Sequence, residues 1–346
     1  MSDAPTSDRR TPARDPVLSS RRIGFFAAVL VIAVLPLIFT DSYWRTNLIV
    51  CAINVMLAIG LDFVVGYAGQ LNLGQSAFYG LGAYVSTLLI TRLGVPFWAA
   101  FAGAILFSGA AGMLLSIFAA RLRGHYLAIA SLGFAVITYQ ILLNWISLTQ
   151  GPLGIYAIPP PPPLALPGLP AIDFGNLANL FYLVAGFALL SYVVLDRLVR
   201  SPIGETLTAI REDELSAASL GVNTQAWKVF AFGVGSAVAG AAGCFYASFV
   251  GTLVPDAFFI TESFTILAMV IVGGMGTLIG PVCGAILLTV LPEPLRGLGD
   301  LRLIVYGLAL TLVVLFMPGG IAQAVQLAAA RLRRLGLRGM PAEHRR

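Results

Sequence analysis

The sequence predicts an all-α polytopic membrane protein of about ten transmembrane segments, some of them broken or re-entrant. Three observations carry that prediction. Of 346 residues, 58% are hydrophobic and 11% charged, where a soluble domain carries about a quarter charged residues. Apolar runs approach the roughly 20 residues that cross a bilayer core of about 30 Å. The basic residues, finally, fall almost wholly on one side of those runs.

The runs lie at about 23–40, 47–66, 76–91, 97–120, 125–145, 178–196, 229–250, 263–280, 281–292 and 301–317. The ninth is too short to span alone, and is expected to be half of a broken or re-entrant element. With the N-terminus inside, 17 of the 21 Lys and Arg residues face the cytoplasm, and only Arg45, Arg92, Arg296 and Arg302 lie outside. Retention of basic loops during insertion therefore puts both termini in the cytoplasm. The net charge of +5 is a topology signal and implies no nucleic-acid partner. The Arg-bearing start before the first run has no small-residue cleavage site after it, so that run is expected to stay as a span. Residues 1–22 are read as a cytoplasmic tail, 23–321 as the transmembrane domain and 322–346 as a basic cytoplasmic tail.

Two polar excursions interrupt the pattern. The outer one, 146–177, holds Pro159–Pro163 unbroken with Pro167 and Pro170, which favours a stiff extended strap over a helix. The inner one, 197–228, opens with Ser201-Pro202, a capping hydroxyl followed by proline at the first helical position. A short helix is expected from there towards Leu220, ended by Gly221 in the left-handed conformation. A solvated connector would explain it. The mixture of small and apolar residues around Ile210 and Leu220 with the cluster Arg211-Glu212-Asp213-Glu214 better suits a helix that docks in a groove of a cytosolic partner.

Within the membrane, Gly66-Tyr67-Ala68-Gly69-Gln70-Leu71-Asn72-Leu73-Gly74-Gln75-Ser76 combines glycines with side-chain amides. Facing lipid, such groups would be costly, so the stretch is expected to be buried in protein or to line a wet cavity. Non-helical backbone at that depth lets helix ends point at a solute; close helix packing is the plainer alternative. Gln70, Asn72 and Gln75 are accordingly pathway-lining candidates or interhelical hydrogen bonders. Asp62 is the acidic residue well inside a span, with Asn54 two turns earlier, and both are further pathway candidates. An ion relay at Asp62 would need partners, and neither His125 nor His344 sits in a span core. A hydrogen-bonded group near the inner end of its helix is the expectation. The pattern Val65-Gly66-x-x-Gly69-x-Leu71 echoes in Val272-Gly273-x-x-Gly276-x-Leu278, which suggests two pseudo-equivalent halves.

The chain has one lysine, Lys228, and no Gly-x-x-x-x-Gly-Lys-Ser/Thr loop, so it does not bind ATP in that way. It has no zinc spacing and no acid pair for hydrolysis. Neither a catalytic residue nor a metal ligand is expected, and Cys51, Cys244 and Cys283 are read as packing residues.

These residues resemble the inner-membrane permease subunits of bacterial ABC importers for branched-chain amino acids. The likeness runs from about 48 to 321 and rests on the Gly66–Phe78 stretch, Arg123-Gly124-His125-Tyr126-Leu127-Ala128-Ile129, Leu148-Thr149-Gln150-Gly151-Pro152-Leu153-Gly154, Ala209–Glu214 and Val272–Thr277. The resemblance implies a non-enzymatic subunit in the bacterial inner membrane that forms half of a translocation pathway for branched-chain or related small amino acids. It implies a homologous second permease subunit, two cytosolic ABC ATPase subunits that hold the ATP, a periplasmic substrate-binding protein and the surrounding lipid. The stretch 201–222 then looks like the coupling helix, with Ile210, Arg211, Glu212, Asp213, Glu214, Leu220 and Gly221 as ATPase-coupling residues. The chain departs from the general loop pattern, because Ser216 precedes Ala217-Ala218 and only Ser219-Leu220 separate them from Gly221. Urea and short amides remain open as solutes. An ion-gradient-driven transporter using Asp62 and a membrane enzyme or scaffold are the competing readings.

Overall fold

The computed structural model describes residues 41–119, 125–163 and 172–294, with isolated positions at 32, 34–36, 307, 308 and 320. The expected spans at 23–40 and 301–317, both terminal tails, and the basic pair Arg121 and Arg123 lie outside the described residues, the isolated positions aside. What is described is a bundle of helices: α1 Ser42–Asp62, α2 Gln75–Leu93, α3 Phe97–Ala119, α4 His125–Asn144, the single turn α5 Ile146–Thr149, α6 Leu177–Val199, α7 Pro202–Glu212, α8 Glu214–Ser219, α9 Thr224–Val250, α10 Ile260–Gly273 and α11 Ile279–Val290. Among the described residues, six segments are long and apolar enough to cross a membrane, and α11 is shorter. The protein is an all-α, multi-pass membrane protein.

Helix α9 is the hub. Lipid chains are as apolar as leucine, so membrane helices associate through close packing of small residues, and the glycines, alanines and serines of α9 provide it. Gly240 lies against Ser108 and the Ala104 carbonyl of α3, Gly235 against Gly60 of α1, and Gly243 against the Tyr79 backbone of α2, each leaving no room for a Cβ. A second kind of contact joins α3 and α6 to the hub, since Phe101 of α3, Phe187 of α6 and Phe245 of α9 have ring centroids 5.0–5.1 Å apart. The apolar windows of α1 and α9 are 67% buried, against 28% for α4 and α6. Two helices thus form the protein interior, and the others shield it.

A minimal sheet closes one end, where β1 Ile155–Tyr156 pairs antiparallel with β2 Thr252–Leu253. It ties the loop after α5 to the turn after α9. Pro159–Pro163 follow it without helix or strand, in keeping with an extended strap.

The boundary expected between 263–280 and 281–292 is corrected. The chain leaves the helix at Gly273 and re-enters at Ile279. Hydropathy averaging ran through this break because its residues are small glycines rather than charges. At 1.5 Å per residue, α10 and α11 reach only about 21 Å and 18 Å. They pack antiparallel as a hairpin: Gly273 lies against the Gly280 carbonyl and Gly284 against that of Met269.

Candidate functional site

Helix α1 does not stop at Asp62 but widens into a π-helical turn over Phe63–Tyr67. The backbone then runs non-helically to Gly74, through Gly69 at φ +66°. Backbone groups freed inside a membrane domain must be satisfied by protein, and the side chains of the stretch do this. The Asn72 carbonyl oxygen accepts from Gly74 N at 2.8 Å, and Asn72 Nδ2 donates to Gln75 Oε1 at 3.0 Å. Leu73 N donates to Ser131 Oγ at 2.9 Å, and Ser76 N to Ser263 Oγ at 2.9 Å. Gln75 Nε2 reaches the Leu57 carbonyl at 3.5 Å. Gln70 is buried, and its Oε1 has no hydrogen-bond partner among the described residues.

The second break, between α10 and α11, meets the first. Gly276 N, with Gly276 at φ +77°, donates to Asp62 Oδ1 at 2.8 Å. A Cβ on Gly66 would overlap both Asp62 Oδ1 and Gly276 N. The two echoing glycine patterns therefore come together in space, each at the end of a helix and before the next. Asp62 closes α1 and is hydrogen-bonded.

A third element reaches the same point. Arg211, in the last turn of α7, donates from Nη1 to the Gly66 carbonyl. Its stem lies along Gly69, where a Cβ would stand 2.9 Å from Arg211 Cγ, and a Cβ on Gly276 would stand 2.9 Å from Nη1. Three glycines thus give one guanidinium its path.

The expected single helix after Ser201 is two. Ser201 caps α7 as anticipated, its oxygen accepting from Ile203 N at 3.3 Å. The helix then breaks at extended Asp213, because that carboxylate competes for the backbone: Oδ1 accepts from Leu215 N at 2.9 Å and Ser216 N at 3.2 Å, and Oδ2 from Ser216 Oγ at 2.6 Å. The Ser216 hydroxyl, then its amide, hold the Asp213 carboxyl below its ordinary value. Gly221, at φ +86°, ends α8 in a Schellman turn, with Val222 N bonded to the Ala217 carbonyl and Gly221 N to that of Ala218.

These contacts sort the seven coupling candidates. Ile210 is 3% exposed and packs inward, so it is not available to a partner. Arg211 turns back onto its own bundle, Asp213 caps α8, and Glu214 pairs with Lys228 at 2.6 Å. Glu212, Leu220 and Gly221 remain outward. Leu220 is 85% exposed and is joined by Leu215 at 70%. Leu215 was missed, because a leucine inside a continuous amphipathic helix reads as core until the break at Asp213 turns it out.

Towards the opposite end of the bundle lies a cavity of about 540 Å³ among α1, α2, α9, α10 and α11. Of the five pathway candidates only Asn54 lines it, with Nδ2 donating to Thr289 Oγ1 at 2.9 Å. Asp62, Gln70, Asn72 and Gln75 belong to the breaks. Tyr79, Tyr246, Glu262, Thr265 and Thr289 also line the cavity, beside Val50, Ile53, Met269 and Leu288. Glu262 escaped the sequence reading because the span was drawn from 263, whereas the apolar segment begins at Pro255.

The family described as branched-chain amino acid transport system / permease component matches residues 45–317. The high-affinity branched-chain amino acid transport system permease protein LivM of Escherichia coli (strain K12) is 36% identical over 314 residues, covering 86% of this chain and 74% of the relative. The permease protein LivH of the corresponding system in Salmonella typhimurium is 28% identical over 289 residues, covering 77% of this chain and 90% of its own. BraD of Pseudomonas aeruginosa, another high-affinity branched-chain amino acid transport system permease protein, is 28% identical over 289 residues. No solved structure matches the chain significantly.

Proposed function

This chain belongs to the branched-chain amino acid transport permease family, and from that premise we propose that it forms one half of the translocation pathway of an ATP-driven importer in the inner membrane. It carries branched-chain or closely related amino acids and pairs with a homologous permease subunit. Two ATPase subunits bind the ATP on the cytosolic side, and a periplasmic binding protein delivers the solute. Both termini face the cytosol in this reading.

The observation that carries it is the α7–α8 pair. It turns Leu215 and Leu220 outward, where a partner can bury them, and its inward side reaches both helix breaks through Arg211. A push on α8 would therefore be delivered to the two places where the membrane helices are discontinuous. Similarity to both LivM and LivH supports the paired permease. The cavity does not serve an ion relay at Asp62, because the residue stands away from it and its Oδ1 is engaged by Gly276 N, while Oδ2 is buried without a hydrogen-bond partner among the described residues.

The test is reconstitution of the assembled transporter in proteoliposomes with a Leu220→Glu subunit. ATP-driven leucine uptake should fall at least tenfold, and a cysteine at 220 should crosslink to the ATPase. Unchanged uptake together with no crosslink would reject the reading.

A further inference from the structure

We propose that the cavity between α1, α2, α9, α10 and α11 is a binding site for a zwitterionic amino acid, with Glu262 taking the ammonium group. This assignment rests on the permease reading above and specifies which residues meet the solute.

Four observations converge on it. Glu262 lies in the first turn of α10, inside an apolar segment that runs from Pro255 to Gly273. Its half-buried carboxylate lines the cavity, and among the described residues it makes no side-chain hydrogen bond or ion pair. An acidic side chain inside an apolar membrane segment is costly and turns to a partner or a wet cavity, which marks it for function. A primary ammonium brought by the ligand supplies the missing charge. Tyr79 and Tyr246 line the same cavity, and a phenolic hydroxyl can donate to a ligand carboxylate. Ile53 and Leu288 give the remaining wall its apolar surface, which suits a branched aliphatic side chain. Finally, about 540 Å³ falls within the range of roughly 300–1,000 Å³ typical of small-molecule sites.

The geometry also accounts for selectivity at the level of chemical class. A fatty acid of the same shape would set its carboxylate against Glu262 with nothing between them. An aliphatic amine would satisfy Glu262 and lose only the phenolic contacts.

The experiment is equilibrium binding of tritiated L-leucine to the assembled transporter in lipid nanodiscs, without ATP or binding protein. Wild type should bind leucine, Glu262→Gln should bind at least tenfold more weakly, and Glu262→Asp should keep most of the affinity. Unlabelled 3-methylbutylamine should compete and 4-methylpentanoate should not. Absence of wild-type binding, Glu262→Gln affinity within twofold of wild type, equal loss in the Gln and Asp variants, or competition by 4-methylpentanoate as strong as by leucine would each overturn the proposal. ATP-driven uptake separates the two levels. Glu262-dependent binding in a complex that transports nothing would reject the importer reading and keep this site, whereas undiminished uptake by Glu262→Gln would reject the site alone.

Discussion

The two interruptions of the helical scaffold solve the same problem with different materials. Between Tyr67 and Gln75 the freed backbone is satisfied by polar side chains: Asn72 within the stretch, and Ser131 and Ser263 from α4 and α10. Between Gly273 and Ile279 the sequence offers glycines and Thr277, and Gly276 N is satisfied by Asp62 of the other break. The first break spreads its bonds over several side chains, two of them on other helices, while the second reaches across to the first through the Asp62 acceptor. Anything that moves α1 at Asp62 must therefore move the α10–α11 hairpin, and Arg211 holds the carbonyl of the residue packed between them.

That asymmetry can be broken in graded ways. The largest effect is expected for Gly66→Val, whose side chain would collide with Asp62 and Gly276 together; the purified protein should lose its monodisperse peak in size-exclusion chromatography, whereas Gly133→Ala, with nothing within 4 Å of its Cβ, should behave as wild type. Next comes Asp62→Leu, which orphans the part-buried Gly276 amide at up to about 1–3 kcal/mol. Its Tm should fall clearly, and Asp62→Asn, which keeps an acceptor oxygen, should recover most of the loss. A smaller and more local change is expected for Asn72→Ala, because removing the oxygen that holds Gly74 N just before α2 costs about 1 kcal/mol, as loss of a helix-capping oxygen does. Hydrogen exchange should quicken at the start of α2 without reaching Gly273–Ile279; equal quickening at both breaks would mean that the first break is no more independent than the second.

The smallest effect concerns pH. The Asp213 carboxyl is held below its ordinary value in the folded chain, so the stability it lends α8 is fully present above the unfolded carboxylate pKa of about 3.9 and is lost as pH falls through the lower folded value. Hydrogen exchange in the 213–222 segment should therefore accelerate only on acidification below the ordinary carboxylate range. Asp213→Asn should remove that pH step.

Much of the scaffold was legible because burying backbone in lipid leaves few options. Apolar runs of the right length located every described long helix, and the start at Ser201-Pro202 and the stop at Gly221 followed from local capping chemistry. The Gly66–Ser76 stretch announced itself through amides that lipid would not tolerate. The site was less legible. The break between α10 and α11 was expected at 280–281 and lies at 274–278, because hydropathy does not register glycines, and Glu262 was lost by one residue at a span boundary. Leu215 was hidden by an Asp213 carboxylate that divides one expected helix into two. Arg211 was read as pointing to a partner, and the fold turns it onto its own bundle.

By itself, the sequence determined what depends on composition and near neighbours: an all-α membrane protein, its described long helices, the caps at Ser201 and Gly221 and the fact that its interior holds non-helical backbone. Only the tertiary structure decided which distant groups meet: Asp62 with Gly276, Arg211 with Gly66, and Glu262 with the phenols around an open cavity. The reason is that helix periodicity and hydropathy report the cost of placing each residue in lipid or water, whereas these contacts join positions up to 214 residues apart through close packing that glycines permit and no local pattern encodes.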